Sequence, residues 1–524
     1  MTTTNESIEF ARSAPGLTAG PGRRRWAMLA VLLAGQFMAL LDVTIVNVAM
    51  PTIGRTLHGS GAELQLVVSG YTVSYAMLLI TGARLGDLRG RRTLFLLGVA
   101  VFTLASALCG FAPSIEILIA ARFVQGAGAA ATMPQIMSVI QARFTGRDRA
   151  RALSAYSAVL ASGFVAGQVF GGLLVNANLF GSQWRPVFLV NVPIGLAVLA
   201  LAPRFIPRDA VGPGPGPGPR PGPGYVSGPG PGSVSGLGSG VGSGRRVDLA
   251  GLAFAVPAVF AIVLPLMLGH QEHWPWWVPA GIGAGLVLAV AFVAVERRVA
   301  ARGGDPLLNL RVLTAPGLGS GLIAMVLLMA SYGGFLFAVA LQLQSGLGES
   351  ALRAGLTFAP SALVFGLVGF FWNRLPVRLH HLLTPIGCAA AVVAYVLLGL
   401  DLASGGRGGF WLLVVLVLLG ASLAAGFSPL VTHSLMHVPV TEAADASGLL
   451  TTTLQLGQAV GVAIFGSLFL SLAAGGSGAA GGSGASGHAL AVTMYWAAAV
   501  LGAGALASVP LSLTVRRARR AAQA

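Results

Sequence analysis

Apolar residues run through this chain in stretches of about 20, the length at which a helix spans a bilayer. Short polar or glycine-containing segments separate them, and the alternating ten-residue pattern of a membrane β-barrel is absent. The runs begin near Trp26, Glu63, Thr93, Ser114, Arg151 and Pro186, then near Asp248, Trp276, Gly317, Ala351, Leu382, Phe410, Ala446 and His488. The pattern predicts an all-α polytopic membrane protein with fourteen transmembrane helices, six of them before residue 207. Residues 207–247 interrupt it with GPGPGPGPRPGPG followed by Gly-Ser sequence, which cannot bury a core and reads as a flexible linker between two helix bundles. A second glycine-rich stretch, Gly475 to Gly487, lies between the last two helices.

Composition sharpens this picture. Of 524 residues 55% are hydrophobic and only 9% charged, with mean hydropathy +0.80. A soluble domain needs more charge to cover its surface. The formal net charge of +16 invites a nucleic-acid reading, but the arginines lie in short clusters between apolar runs, without one basic stripe or interleaved aromatics. With the N-terminus in the cytoplasm, 27 of the 32 arginines fall in the two tails and the loops after even-numbered helices. Positive residues accumulate on that side of a membrane, so both termini are expected to be cytoplasmic and the protein to sit in the plasma membrane. Arg23 to Arg25 resemble the charged start of a signal peptide, but the apolar run that follows is too long and lacks a cleavage site. Cys109 and Cys388 both sit inside apolar runs and read as packing residues. A phosphate-cradling GxxxxGK[ST] loop is absent, as is any lysine, so ATP is not the expected energy source. Neither a cofactor nor a metal is expected. His433 and His437 lie four apart without a carboxylate cluster, as interfacial histidines commonly do.

Charges left inside the membrane then carry the candidate chemistry. Asp42 lies about sixteen residues into the first helix, roughly 24 Å from its cytoplasmic end. Arg122 lies in the antiparallel fourth helix, at a depth of roughly 20 Å from the same face. The pair is therefore expected to face one cavity and to interact. Burial favours a neutral acid and a nearby guanidinium favours the carboxylate, so a carboxyl held between these effects is a plausible proton carrier. Arg122 bonding to helix ends or backbone carbonyls is the alternative. In LDVTIVNVAMP, Asn47 either lines the cavity or bonds to a neighbouring helix. In GARLGDLRGRRTLF, a turn at Gly90 would let Asp87 meet Arg91 and Arg92, with a solvated basic loop as the equal alternative. Gly163, Gly167 and Gly171, with Gly172 beside them, form a smooth stripe on the fifth helix for close helix packing. Gly457 and Gly461 repeat the pattern in the thirteenth.

Together these segments resemble the major facilitator superfamily, and within it the fourteen-helix drug:proton antiporters. LDVTIVNVAMP is similar to that family's first-helix signature, and GARLGDLRGRR to its loop motif between helices two and three. RFVQGAGAA, with Arg122 and Gln125, resembles the fourth-helix motif, and GFVAGQVFGGLL the fifth-helix motif associated with antiport. WRPVFLVNVPIG and SALRAGLTFAPSAL are also similar to family segments. The chain departs from the family at Ala83 and Leu88 in the loop motif, where glycine and arginine are usual, and at Gln168, where proline is usual. The equivalent loop of the second half, NRLPVRLHH, lacks the aspartate.

The resemblance implies a two-bundle fold with an inserted helix pair. Its expected divisions are a cytoplasmic tail (1–25), a six-helix bundle (26–206), the linker (207–247), the inserted pair (248–296), a second six-helix bundle (316–515) and a basic cytoplasmic tail (516–524). The implied roles are proton coupling for Asp42 and Arg122, and polar lining of the substrate cavity for Asn47 and Gln125. Asp87, Gly90, Arg91 and Arg92 would form a conformational charge relay, and Gly163, Gly167, Gly171 and Gly172 the antiport motif. The implied activity is export of hydrophobic or amphipathic small molecules in exchange for protons by alternating access, in a monomer that is not an enzyme. Proton-coupled uptake on the same fold is the alternative, kept open by Gln168. A membrane-embedded enzyme would need several converging polar residues within the bilayer, and only Asp42 and Arg122 offer themselves.

Overall fold

Local signals open and close the helices. Ser60 caps the second long helix: its Oγ accepts from the Glu63 amide at 3.4 Å, while the Glu63 carboxylate accepts from the Ser60 amide at 2.7 Å. Gly90, at φ 92°, ends that helix and begins the next without a connecting loop, in a conformation that favours glycine. Asn178, at φ 41°, ends the fifth, and the Ser350 hydroxyl caps the helix that starts at Ala351.

A computed structural model describes residues 21–207, 249–269, 275–302, 310–403, 409–438, 443–475 and 483–523. The expected linker from residue 208 onward and residues 1–20 of the expected N-terminal tail lie outside the described residues. The helices are α1 (Pro21–Leu57), α2 (Gly61–Arg89), α3 (Arg91–Gly110), α4 (Ile115–Arg143), α5 (Gly146–Ala177), α6 (Pro186–Leu189), α7 (Asn191–Phe205) and α8 (Leu249–Leu268). They continue as α9 (Trp277–Ala301), α10 (Leu318–Leu341), α11 (Ala351–Phe371), α12 (His380–Ala403), α13 (Phe410–Ser434), α14 (Ala443–Gly475), α15 (Ser483–Ala507) and α16 (Val509–Gln523). Strands are absent among the described residues. Eleven helical segments there are long and apolar enough to cross a membrane, and the chain is a multi-pass membrane protein.

Two details differ from the expected pattern. The helix expected from Pro186 misses one backbone hydrogen bond near Val190, because Pro193 has no amide hydrogen to return to Leu189, although Val190 keeps helical dihedrals. The basic C-terminal segment is helical as far as Gln523.

Within the first half, α1 packs on α5 and α7, α2 on α4, and α3 on α4 and α7. In the second, α10 packs on α14 and α15, α12 on α13 and α15, and α11 on α13. The halves meet along two seams, α5 with α11 and α2 with α14. Helix α8 pairs with α9 and sets Val263 against Val73 and Met77 of α2 and Ala459 and Ala463 of α14, so it lies over the second seam. On α9, Leu286, Val287 and Val290 are exposed, as a lipid-facing helix requires.

Thr452 of α14 donates to the Ala76 carbonyl midway along α2 at 3.4 Å, and two further polar contacts between the halves lie at the end of the molecule that carries the α1–α2 turn. There the Gln344 side-chain amide, on a π-helical turn after α10, donates to the Val48 carbonyl of α1 at 2.9 Å. Gln65 of α2 and Ser467 of α14 exchange hydrogen bonds at 3.3 Å. On the other seam the glycines interlock: a Cβ on Gly172 would meet the Ala351 carbonyl at 2.7 Å, and one on Gly355 would collide with the Gln168 carbonyl.

Candidate functional site

Halfway along α1, Asp42 is fully buried and faces α4. A carboxylate removed from water is tolerated only when other groups satisfy its oxygens, and three side chains do so here. Arg122 Nη1 donates to Oδ2 at 2.5 Å. Gln125 Nε2 donates to Oδ1 at 2.8 Å, and Asn191 Nδ2 to the same oxygen at 2.9 Å. The carboxylate thus ties together α1, α4 and α7.

Arg122 sits one helical turn before Gln125 on α4, which places both on one face. Besides Asp42, its Nη1 reaches Gln125 Oε1 at 2.6 Å, and its Nε donates to the Val67 carbonyl of α2 at 2.9 Å. The guanidinium carbon lies 4.7 Å from the Tyr71 ring centre and 5.7 Å from that of Phe188. Aromatic faces stabilise a desolvated cation in this geometry. Gln125 Nε2 also donates to the Ser106 hydroxyl at 2.8 Å, and the Cys109 thiol donates to Gln125 Oε1 at 3.8 Å. The result is a buried, connected cluster in which a carboxylate and a guanidinium neutralise each other's charge.

Sequence reasoning singles out Asp42 and Arg122, and the structure brings them into direct contact, with Gln125 between them and Ser106. Ser106, Cys109 and Tyr71 join the cluster without a sequence signal of their own, and Asn191 joins it from the segment WRPVFLVNVPIG, where no role marks it. Asn47 lies apart: its Nδ2 donates to the Val43 carbonyl of its own helix at 3.3 Å.

The glycine stripe of α5 faces α1. A Cβ on Gly163 would meet the Leu40 Cβ at 2.8 Å, one on Gly167 would collide with the Thr44 hydroxyl, and one on Gly171 would meet the Ile45 carbonyl at 3.0 Å. Gly172 turns the other way, onto α11. At the α2–α3 junction Arg91 Nη1 donates to the Ser138 carbonyl of α4 at 3.4 Å, and Gln135 of α4 donates to the Gly82 carbonyl at 2.9 Å. The Asp87 side chain lies outside the described residues. His433 packs edge-on against the Trp372 ring, their centres 6.0 Å apart.

A small cavity of about 20 Å³ lies where α5 meets the second half. Gln168, Tyr332, Phe335, Phe358, Ser361 and Phe365 are among its lining residues.

The family model described as Major Facilitator Superfamily matches residues 32–462. A probable actinorhodin transporter of Streptomyces coelicolor is 34% identical, over 87% of this chain and 75% of that protein. The cephamycin export protein CmcT of Amycolatopsis lactamdurans is 36% identical over 84% of each chain. The multidrug resistance protein Stp of Mycobacterium tuberculosis is 31% identical, over 83% of this chain and 74% of its own. Among solved structures, an inward-facing, unoccupied bacterial homologue of the human lysosomal transporter Spinster aligns with TM-score 0.66 at 18% identity, covering 95% of this chain and 98% of that one. The proton:xylose symporter XylE aligns with TM-score 0.54 at 13% identity, covering 91% and 95% respectively.

Proposed function

Because this chain belongs to the Major Facilitator Superfamily, we propose that it exports hydrophobic or amphipathic small molecules of the antibiotic class in exchange for protons. The relatives named as exporters and resistance proteins support the direction and the substrate class. The observation that carries the coupling is the buried Asp42 held by Arg122, Gln125 and Asn191. Asp42 is the proton carrier in this reading. In its charged form it neutralises Arg122 and anchors α1 to α4 and α7; protonated, it leaves Arg122 uncompensated and weakens that anchor. Arg122 thereby links the protonation state to the packing of the first bundle, and Gln125 relays the change to Ser106 on α3.

The same reading assigns fourteen membrane helices with both termini in the cytoplasm. Support comes from α2, α5 and α8, which are 29, 32 and 20 residues long and pack among the eleven apolar spans. Its divisions are the bundles 26–206 and 316–515 and the inserted pair 248–296, with 207–247 as a tether. The α1–α2 turn then lies outside, and the clasps at Gln344–Val48 and Gln65–Ser467 close the outer face. Gly163, Gly167 and Gly171 let α5 sit directly on α1, and the junction at Gly90 with Arg91, Arg92 and Asp87 steadies the cytoplasmic face. Asn47 and Gln125 are the polar positions assigned nearest the substrate path.

The decisive experiment is proton release from acid-loaded proteoliposomes on adding lipophilic cations and antibiotics, wild type beside Asp42→Asn. Substrate-evoked release in the wild type and none in the variant is expected. Full release in the variant would remove Asp42 from the mechanism, and inward co-movement of protons with substrate would establish uptake instead.

A further inference from the structure

Apolar and basic side chains share the outward face of the last helix. Leu511 and Val515 of α16 are buried, and a Cβ on Gly317 at the start of α10 would meet Leu511 Cδ1 at 2.7 Å. That side fixes α16 against α12, α10 and α13. Val509, Leu513, Arg516 and Arg517 are exposed, and their spacing of four, three and one sets them on one face. Arg519 and Arg520 follow in the sequence.

The segment that leads into α12 has the same character. Arg374 and Arg378 are exposed there beside the exposed Leu375 and Leu379. Two contacts hold it in place: the Arg374 guanidinium lies 4.6 Å from the Phe371 ring centre, and His380 Nε2 donates to the Leu375 carbonyl at 2.9 Å. Water would leave these leucines exposed, and hydrocarbon would strand the guanidinium groups. The boundary between acyl chains and headgroups accommodates both. In α10, α12, α13 and α16 the one acidic residue is Asp401, at the opposite end of α12. The helices that carry this surface therefore bring no counter-charge to it.

We propose that α16 and the segment before α12 form a docking surface for anionic phospholipids of the surrounding leaflet. The arginines hold headgroup phosphates, and the leucines lie against the acyl chains. Guanidinium groups pair with phosphate oxygens through parallel N–H donors. A zwitterionic lipid brings an ammonium that offsets this attraction, so net charge decides which lipid is held. The rule that gathers arginines on one side of a membrane accounts for their number here, but not for the exposed leucines set among them. Because α16 crosses from the start of α10 to the start of α12 and the end of α13, a lipid held by it bears on three helix ends of the second bundle. The leaflet is the cytoplasmic one in the topology proposed above.

The test is native mass spectrometry of the purified full-length chain in detergent, with dioleoyl-phosphatidylglycerol and dioleoyl-phosphatidylcholine supplied in equal amounts. The wild type is expected to retain phosphatidylglycerol at least about fivefold over phosphatidylcholine, the effect of one basic residue at an anionic surface. Replacing Arg516 and Arg517 together by Gln, or Arg374 and Arg378 together by Gln, should lower that preference several-fold. Replacing Arg297 and Arg298 of α9 by Gln, which are also exposed, should leave it unchanged. Equal retention of the two lipids by the wild type overturns the proposal, and this comparison needs no variant to fold. An equal loss in the α9 variant overturns it as well, because the preference would then follow overall charge and not this surface. Complete displacement of phosphatidylglycerol by millimolar glycerol 3-phosphate would assign the arginines to a free phosphate in place of a lipid. Retention in detergent reads neither transport nor sidedness, so the lipid surface and the export reading fail separately.

Discussion

Asn191 donates its side-chain amide to Asp42 Oδ1 at 2.9 Å across 149 positions of sequence. It does so from the first residue of α7. Replacing Asn191 with Ala removes one charge-assisted bond and leaves Gln125 and Arg122 in place. Proton-coupled transport is expected to slow about tenfold, the equivalent of ~1.4 kcal/mol, while Asp42→Asn abolishes it. Initial rates in proteoliposomes at matched protein content check this, and unchanged rates would reduce Asn191 to a packing residue.

Arg122→Lys keeps the charge but not the geometry. The guanidinium serves Asp42, Gln125 and the Val67 carbonyl while lying over Tyr71, a set that a single ammonium cannot reproduce. Transport should fall nearly as far as in Arg122→Ala. Arg122→Ala, which leaves a buried carboxylate uncompensated, should also lose roughly 3–5 kcal/mol of stability. Thermal unfolding in detergent separates the two effects.

How much of this was legible in the sequence follows from what each residue contrasts with. Asp42 and Arg122 stand out because charges inside apolar runs are rare, and counting residues along two antiparallel helices sets them at one depth. Asn191, Ser106 and Cys109 do not stand out, since neutral polar residues and cysteines occur throughout membrane helices. Helix starts at Ala351 and Phe410 coincide with the ends of polar segments and were readable directly. The glycine stripe on α5 announced a close neighbour without naming it, because periodicity identifies a face and not what packs there. Gln168 was visible as a departure from the family's proline, but its aromatic partners lie more than 160 residues away in the other half, beyond any local pattern.

Gly167→Ala is expected to cost about 1–3 kcal/mol through overpacking, because its new methyl would collide with Thr44 on α1. Gly171→Ala, whose nearest contact lies at 3.0 Å, should cost less. Combining Gly167→Ala with Thr44→Ala should recover part of the loss. Unfolding temperatures of the wild type, the three single variants and the double variant test the ordering, and additivity of Gly167→Ala and Thr44→Ala would mean that the helices do not meet there.

Alternating access requires the clasp between Gln65 and Ser467 to open. Cysteines at both positions, in a background where Cys109 and Cys388 are replaced by Ser, allow a short reducible cross-linker to hold α2 against α14. Transport should stop on cross-linking and return on reduction. Continued transport in the cross-linked protein would place the moving seam elsewhere.

Shortening the 207–247 segment to a smaller Gly-Ser tether should leave transport within about twofold of wild type, since the entropy of closing a flexible loop changes only slowly with its length. Loss of transport at normal membrane insertion would give that segment a role beyond joining the bundles.

The interlocked glycines at Gly172 and Gly355 bear on speed as well as shape. Two helices that touch backbone to backbone have no ridges of side chains to disengage when they shift. A rocking motion along α5 and α11 then needs no re-sorting of rotamers at the pivot, and the joint behaves as a smooth bearing. Friction in the cycle would instead come from the polar clasps, such as Gln65 with Ser467, so turnover would be set by the clasps more than by the hinge.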